Sequence, residues 1–341
     1  MLQVDSATEW RGGQVQLALL MEGLEARGCE LSLAAAPQGE LARRSGCAVL
    51  PIPAGASLRG AWALRSHIQR LQPDVVAAQT SHAHSLCVLA GVRPVVHRRV
   101  DFAVGGSPWG RWKYGRAGLY IAVSQGVARV LDVGGVPRER IRVVHDGVRP
   151  FPPTEPAADL AGVGPLVGAL GALVDHKAHW VLVEAMALLP DVHCVIAGEG
   201  PCRDDLERRI ERLGLQPRVT LLGQRDDPAA VMAALGLLVH PSIEEGMGQV
   251  VVEAMAAGLG VVVSDAGGLP EVVGDLQTPV PAGDPAALAR ALRARLDEPG
   301  DPGPARERAR ELFSVETMVD GTLAAYHEAV AGAGRASGSE A

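Results

Sequence analysis

Aromatic residues are scarce, at 3% of the 341, and the five cysteines (Cys29, Cys47, Cys87, Cys194 and Cys202) include no Cys-x-x-Cys pair. An odd, scattered set argues against a disulfide framework or a thiolate zinc site and for thiols kept reduced. No apolar run approaches the roughly 18 residues that cross a bilayer. The opening Met1-Leu2-Gln3-Val4-Asp5 has no basic segment and reads at once as a strand, so no secretory signal is expected and a cytoplasmic location is. The Gly-x-Gly-x-x-Gly dinucleotide fingerprint is also missing, which argues against a nicotinamide site in the first half. No nucleic-acid module is recognisable, so nucleic acid is not an expected partner.

Charge is unevenly spread. Residues 1–150 hold 18 Lys and Arg against 11 Asp and Glu, and the remainder 14 against 28. The first half either meets something anionic or carries a solvated arginine-rich face.

Short β-branched runs alternate with longer amphipathic stretches, the rhythm of parallel sheets with helices on both faces. Strands are expected at 2–5, 31–35, 48–52, 75–79, 95–98, 119–123 and 141–144, then at 166–170, 193–197, 219–222, 237–240 and 261–264. Four prolines between Val148 and Pro156 mark a linker. The expected division is a first α/β domain over 1–149, a linker over 150–156, a second α/β domain over 157–330 and a flexible tail over 331–341. The last helix before the tail can cross back to the first domain. Ligands of open α/β sheets bind beyond the carboxyl ends of the strands, so two such domains would present loops to a shared cleft.

The most informative stretch is Glu245-Gly246-Met247-Gly248-Gln249-Val250-Val251-Val252-Glu253. It follows the strand ending at His240 and leads into a helix expected from Gln249 to Ala257, stopped by Gly258. Glycines at a helix N-terminus make an anion site, with free amides and the positive end of the dipole. Two carboxylates beside it suit a ligand carrying both phosphates and hydroxyls. At the same sheet edge, the loop from Gly171 ends in Asp175-His176-Lys177, where a lysine either neutralises a diphosphate or serves a helix start. Gly198-Glu199-Gly200 forms a further turn there.

In the first half, Gly12-Gly13 lies between the first strand and a helix expected from Val15 to Arg27. His82 and His84 follow one strand, and Arg98, Arg99 and Asp101 end another beside His97; the charged trio contacts a ligand or forms a structural ion pair. The histidines have no acidic partner at ligand spacing, so no metal is expected. Trp109, Trp112 and Tyr114 interleave with Arg111, Lys113 and Arg116, either a lipid-facing patch or an aromatic packing knot.

Taken together, these motifs resemble the family 4 glycosyltransferases, retaining enzymes of GT-B architecture. The resemblance runs through the Gly12-Gly13 loop, Val123-Ser124, His145 to Val148, the Lys177 loop, Gly198 to Gly200, Glu245 to Glu253, Gly267 to Val273 and Gly283-Asp284-Pro285. It implies an α/β fold of two doubly wound Rossmann-like domains facing each other across a cleft, and a nucleotide-diphosphate-sugar donor of UDP or GDP type with no separate cofactor. Catalytic roles would fall to Glu245, Lys177 and Asp101. The donor would meet Gly12, Gly13, Lys177, Gly198, Glu199, Glu245, Gly246, Met247, Gly248 and Glu253: Lys177 on the diphosphate, Glu245 on sugar hydroxyls and Glu253 on the ribose. His82, Arg98, Arg99 and Asp101 would lie on the side of a glycan or lipid-linked acceptor, with Trp109, Arg111, Trp112, Lys113 and Arg116 resting peripherally on an anionic membrane. Two positions depart from the family, which often has Arg at Ala172 and His at Val100. The alternatives are a catalytically silent nucleotide-sugar-binding protein and an epimerase of the same fold.

Overall fold

The computed structural model describes residues 1–160, 162 and 164–338. The chain divides into two compact units, the first being Met1–Gly147 together with the segment from Ser314 onward, the second Val148–Phe313.

Unit 1 alternates β1 (Leu2–Asp5), α1 (Gly12–Ala26), β2 (Ser32–Ala35), α2 (Glu40–Arg44), β3 (Ala48–Pro51), α3 (Leu58–Leu71), β4 (Val76–Ala78), α4 (Ser81–Leu89), β5 (Val95–Arg98), α5 (Pro108–Gly115), β6 (Leu119–Ala122), α6 (Gln125–Val133) and β7 (Ile141–Val143). Its strands are all parallel, in the order β3-β2-β1-β4-β5-β6-β7. Unit 2 runs β8 (Leu166–Leu170), α7 (His179–Met186), β9 (His193–Ala197), α8 (Arg203–Arg212), β10 (Val219–Gly223), α9 (Pro228–Ala234), β11 (Leu237–His240), α10 (Gln249–Ala257), β12 (Gly260–Val263), α11 (Leu269–Val273), α12 (Pro285–Asp297) and α13 (Gly303–Leu312). Its parallel order is β10-β9-β8-β11-β12. Each expected strand forms, with ends moved by at most one residue. The apolar runs are short and flanked by turn residues, and the central ones are buried throughout, as parallel strands covered on both faces must be.

Three expectations require correction. The helix after β1 begins at Gly12, not Val15: the Gln14 side chain reaches back and accepts from the Arg11 amide at 3.2 Å, which satisfies one free amide at the helix start and holds both glycines in the first turn. The second unit ends at Phe313, not at residue 330. The last helix, α14 (Val315–Gly338), belongs to unit 1, where Met318, Val319, Ala325 and Tyr326 are buried with Leu20, Leu24, Leu119 and Ile121. Residues 331–338, expected as a flexible tail, continue that helix, since alanine favours it and no proline intervenes; 339–341 lie outside the described residues. The proline-rich 150–156 has no regular structure, and the amide of Val148 donates to the Phe313 carbonyl at 2.7 Å.

A glycine sets the contact between α14 and α1. A Cβ on Gly23 would lie 2.4 Å from Cγ2 of the fully buried Val319. Gly23→Ala should therefore destabilise unit 1 by about 1–3 kcal/mol through overpacking. Val319→Ala in the same chain should recover part of that loss, as read from urea midpoints; a double variant no more stable than Gly23→Ala alone would show that this contact does not govern the packing.

Candidate active site

In unit 2 the strand order reverses between β8 and β11, the switch point where loops diverge to opposite faces of a doubly wound sheet. These two strands pair only at Val167 with Leu237 and at Gly168 with Leu238, so their carboxyl ends are not joined. The loop after β8 carries Lys177 and the loop after β11 carries Glu245. The Lys177 ammonium, one of only two lysines in the chain, donates to Glu245 Oε2. His240, the last residue of β11, places Nε2 at 2.6 Å from the same oxygen, and Ser242 Oγ lies 3.5 Å away.

Burial alone would push the Glu245 carboxyl up, but the His240 hydrogen bond and the Lys177 charge outweigh it and hold it far below the usual carboxylate range. Burial drives His240 the other way, lowering its pKa, so at neutral pH the imidazole is uncharged. Facing an anionic oxygen, its Nε2 must carry the proton and donate, which assigns the tautomer. His179, at the start of α7, is likewise held neutral, lowered to about 3 by burial and then by His240 and Lys177.

Backbone bonds draw the neighbouring loops to this point. Ile243 donates to the His176 carbonyl at 2.8 Å, and Gly268, after β12, donates to the Glu245 carbonyl at 3.0 Å. Gly171 donates to Ala197 and Leu173 to the Glu199 carbonyl, both at 2.9 Å, which joins the loops after β8 and β9. That contact requires Gly198, because a Cβ there would fall 1.9 Å from the Gly171 carbonyl oxygen. Gly248 caps α10 in left-handed backbone (φ 89°), and a Cβ would meet Leu269 at 2.6 Å. Gly246, buried Met247 and Gly248 thus bring the chain tightly into the N-terminus of α10, a place suited to an anion. Glu199 is exposed and pairs with Arg203 at 2.7 Å. Glu253 is half-buried and makes no hydrogen bond or ion pair among the described residues; burial alone raises it to about 7.

Unit 1 has its own switch point between β1 and β4, next to the first turn of α1 and to exposed His82 in α4. A buried polar chain lies behind it. Tyr326 Oη meets His97 Nε2 at 2.8 Å and Gln3 Nε2 at 3.3 Å; Gln79 donates to Gln3 at 2.7 Å; Arg99 donates to Gln79 and Asp146, both at 2.9 Å. Arg99 is thus a structural link in this unit. Arg98, expected on the acceptor side, is buried instead and donates to the Phe102 carbonyl at 2.6 Å and to Tyr114 Oη at 3.2 Å. Asp101 is half-buried after β5, and Val100, at the position where the family often has histidine, is exposed. His84 and His97 are buried and held neutral, His84 lowered to about 3 by burial and by Lys113. Among the described residues no group of three His, Cys, Asp or Glu could hold a metal ion.

The expected membrane patch also needs correction. Lys113 is buried and donates to Ser81 Oγ at 3.0 Å, because its position in α5 faces α4. Trp109 and Trp112 are exposed and stacked at 4.8 Å, with Arg116 4.4 Å over Trp112 and Arg111 exposed. No helix among the described residues is long and apolar enough to cross a membrane.

Sequence reasoning omitted His240 and Ser242 from the site. Their signal was a polar residue closing an otherwise apolar buried strand, and a serine immediately before the Glu245 loop.

Residues 157–312 match the family model of glycosyl transferases group 1, and residues 10–150 that of glycosyltransferase family 4. Each half of the chain thus matches one glycosyltransferase domain model, and the two models together span most of it. It is 31% identical over 244 residues to a 2-deoxystreptamine glucosyltransferase of Streptomyces kanamyceticus, covering 65% of this chain and 63% of that protein. It is 38% identical over 210 residues to a D-inositol 3-phosphate glycosyltransferase of Mycolicibacterium gilvum, covering 56% and 47%. The matched stretch thus spans less than two thirds of either relative. Among solved structures, Anabaena HepE in complex with UDP superposes with a TM-score of 0.80 at 22% identity, covering 96% of this chain and 99% of that one. Sucrose-phosphate synthase from Thermosynechococcus elongatus gives 0.78 at 20% identity, covering 97% and 98%. The fold class is that of the GT-B glycosyltransferases.

The raised carboxyl of Glu253 has a consequence for stability. A folded-state value above the unfolded one means that the folded chain binds the extra proton between about pH 4.5 and 7, so this group's contribution is present at low pH and lost as pH rises through 7. Glu253→Gln should therefore gain in melting temperature relative to the native chain at pH 8 compared with pH 5. Equal differences at both pH values would mean that the carboxyl titrates normally.

Proposed function

We propose that the chain is a retaining glycosyltransferase that moves a sugar from a nucleotide-diphosphate-sugar, of UDP or GDP type, to a glycan or lipid-linked acceptor. The observation that carries this reading is the ionised Glu245 held between Lys177 and His240 beside the N-terminus of α10. Support for the donor class comes from the structural relatives, one of which is described in complex with UDP-glucose.

The diphosphate would lie against the α10 amides at Gly246 to Gly248, with Lys177 turning from Glu245 toward it. Glu245 would then accept hydrogen bonds from sugar hydroxyls, while His240 keeps its carboxylate in place. Glu253, an unpartnered acceptor once ionised, suits the two hydroxyls of a ribose. Breaking the anomeric C–O bond builds positive charge on the sugar and negative charge on the leaving diphosphate, so fixed dipoles and a cation at the diphosphate lower the barrier. In the front-face route the leaving phosphate oxygen takes the acceptor's proton as the new bond forms on the same face.

Melting with UDP and GDP, on the native chain and on Lys177→Ala, tests the donor site. A saturating diphosphate at about 100 times its dissociation constant adds about 2.7 kcal/mol of stability. One diphosphate should shift the native chain and shift the variant much less. Glu245→Gln should retain that nucleotide shift and lose at least about 100-fold in turnover, comparable to loss of a charge-stabilising group. Undiminished turnover in Glu245→Gln would refute its role at the sugar.

A lipid-linked acceptor is favoured by the exposed Trp109 and Trp112 beside Arg111 and Arg116. Each basic residue near an anionic leaflet contributes about 1 kcal/mol. Reversing Arg111 and Arg116 to Glu should weaken binding to phosphatidylserine vesicles about tenfold or more, and equal binding by the variant would remove the membrane from the proposal.

A further inference from the structure

A cavity of about 340 Å³ lies within unit 2 at the amino ends of β11 and β12, the sheet edge opposite the Glu245 loop. Its volume falls at the lower end of small-molecule sites. The wall is mostly apolar, formed by Leu237, Met255, Leu259, Val261, Val273 and Leu276. Two polar side chains break it, Gln277 and Arg295. Gln277 Nε2 and Arg295 Nε are both buried, and neither finds an acceptor among the described residues.

This pairing is unusual. Arginine keeps its charge at any pH a protein meets, and a buried donor without an acceptor is costly, most of all on a charged group. Native interiors leave few such donors, yet two line one cavity here. The guanidinium packs against Gly300, where a Cβ would come 2.7 Å from Arg295 Nη1. The nearby amide of Gly303, in the first turn of α13, is occupied by Asp301 Oδ1 at 2.8 Å, whereas Arg295 and Gln277 are the polar side chains that line the cavity.

We propose that this cavity binds a small monocarboxylate with an apolar aliphatic or aryl body, the carboxylate on Arg295 and Gln277 and the body against the Met255 and Leu276 wall. The guanidinium fork matches a carboxylate, and one cation balances one negative charge. A phosphate dianion would bring a second charge that this wall cannot solvate. An uncharged hydrocarbon would leave both donors as they are. The site is independent of the donor reading, since none of its residues belongs to the Glu245 constellation.

Octanoate is the probe, titrated calorimetrically into the full chain with 1-octanol as the uncharged control. One octanoate should bind per chain, more tightly than octanol, and Arg295→Met should weaken it about tenfold or more, with a smaller loss in Gln277→Leu. Unchanged octanoate affinity in Arg295→Met, or no binding to the native chain at millimolar octanoate, would overturn the proposal. A measurement on the native sequence guards against a variant that fails to fold. With methyl-labelled methionine, the Met255 methyl should show a nuclear Overhauser contact to the octanoate chain, and none at saturation would equally overturn it.

Discussion

A carboxylate kept ionised while largely buried must be surrounded by donors, and Glu245 obtains them from separate pieces of chain. Lys177 comes from the loop after β8, His240 from the last position of β11, and Ser242 from the turn between. The backbone of the same segment then fixes further neighbours, His176 accepting from Ile243 and Glu245 from Gly268. One charged group thus holds three βα loops at the point where the sheet reverses direction. The neutral state of His240 is part of this: a second full cation would compete with Lys177, whereas a neutral donor orients the carboxylate and leaves the ammonium as its one cationic partner.

Glu253 shows the opposite condition in the same helix. Glu245 is saturated with donors and falls in pKa, while Glu253 has burial and no partner and rises toward neutrality. Titratable pairs whose surroundings push them apart in this way are concentrated at functional sites, because folding alone gives no reason to retain an unpaired buried carboxyl. The geometry is kept open by glycine. Gly198 permits backbone contact between the loops after β8 and β9, and Gly248 admits the left-handed turn that presents the α10 amides.

Much of this was legible because parallel strands are written plainly in sequence. Runs such as Leu237-Leu238-Val239-His240 are too short for a buried helix, and their turn residues bound them closely. The Glu245 to Glu253 stretch was legible because glycine before an apolar helix has few other uses. What sequence could not give was partnership at long range. Arg98 and Lys113 look like surface cations in their local context, yet each is turned inward by a residue outside its own segment, Tyr114 and Ser81 respectively. Residues 331–338 failed for a different reason: glycine and alanine suggest a loose tail by composition, whereas their attachment to a helix already anchored by Tyr326 continues the fold.

The two ends of α10 place separate demands on one rigid element. Its N-terminus lies beside Glu245 and suits an anion, and its C-terminal turn, at Met255 and Gly258, lines the apolar cavity. Nine residues at about 1.5 Å each set these roughly 14 Å apart, too far for a shared ligand. Glu253 and Met255 are two positions apart, which places them on different faces of the helix. A group in the cavity would therefore reach the candidate site only by shifting α10 as a body against β11 and β12. Close packing of Val251, Val252 and Ala254 resists such a shift, so the cavity and the Glu245 loop can share one domain with little coupling between them.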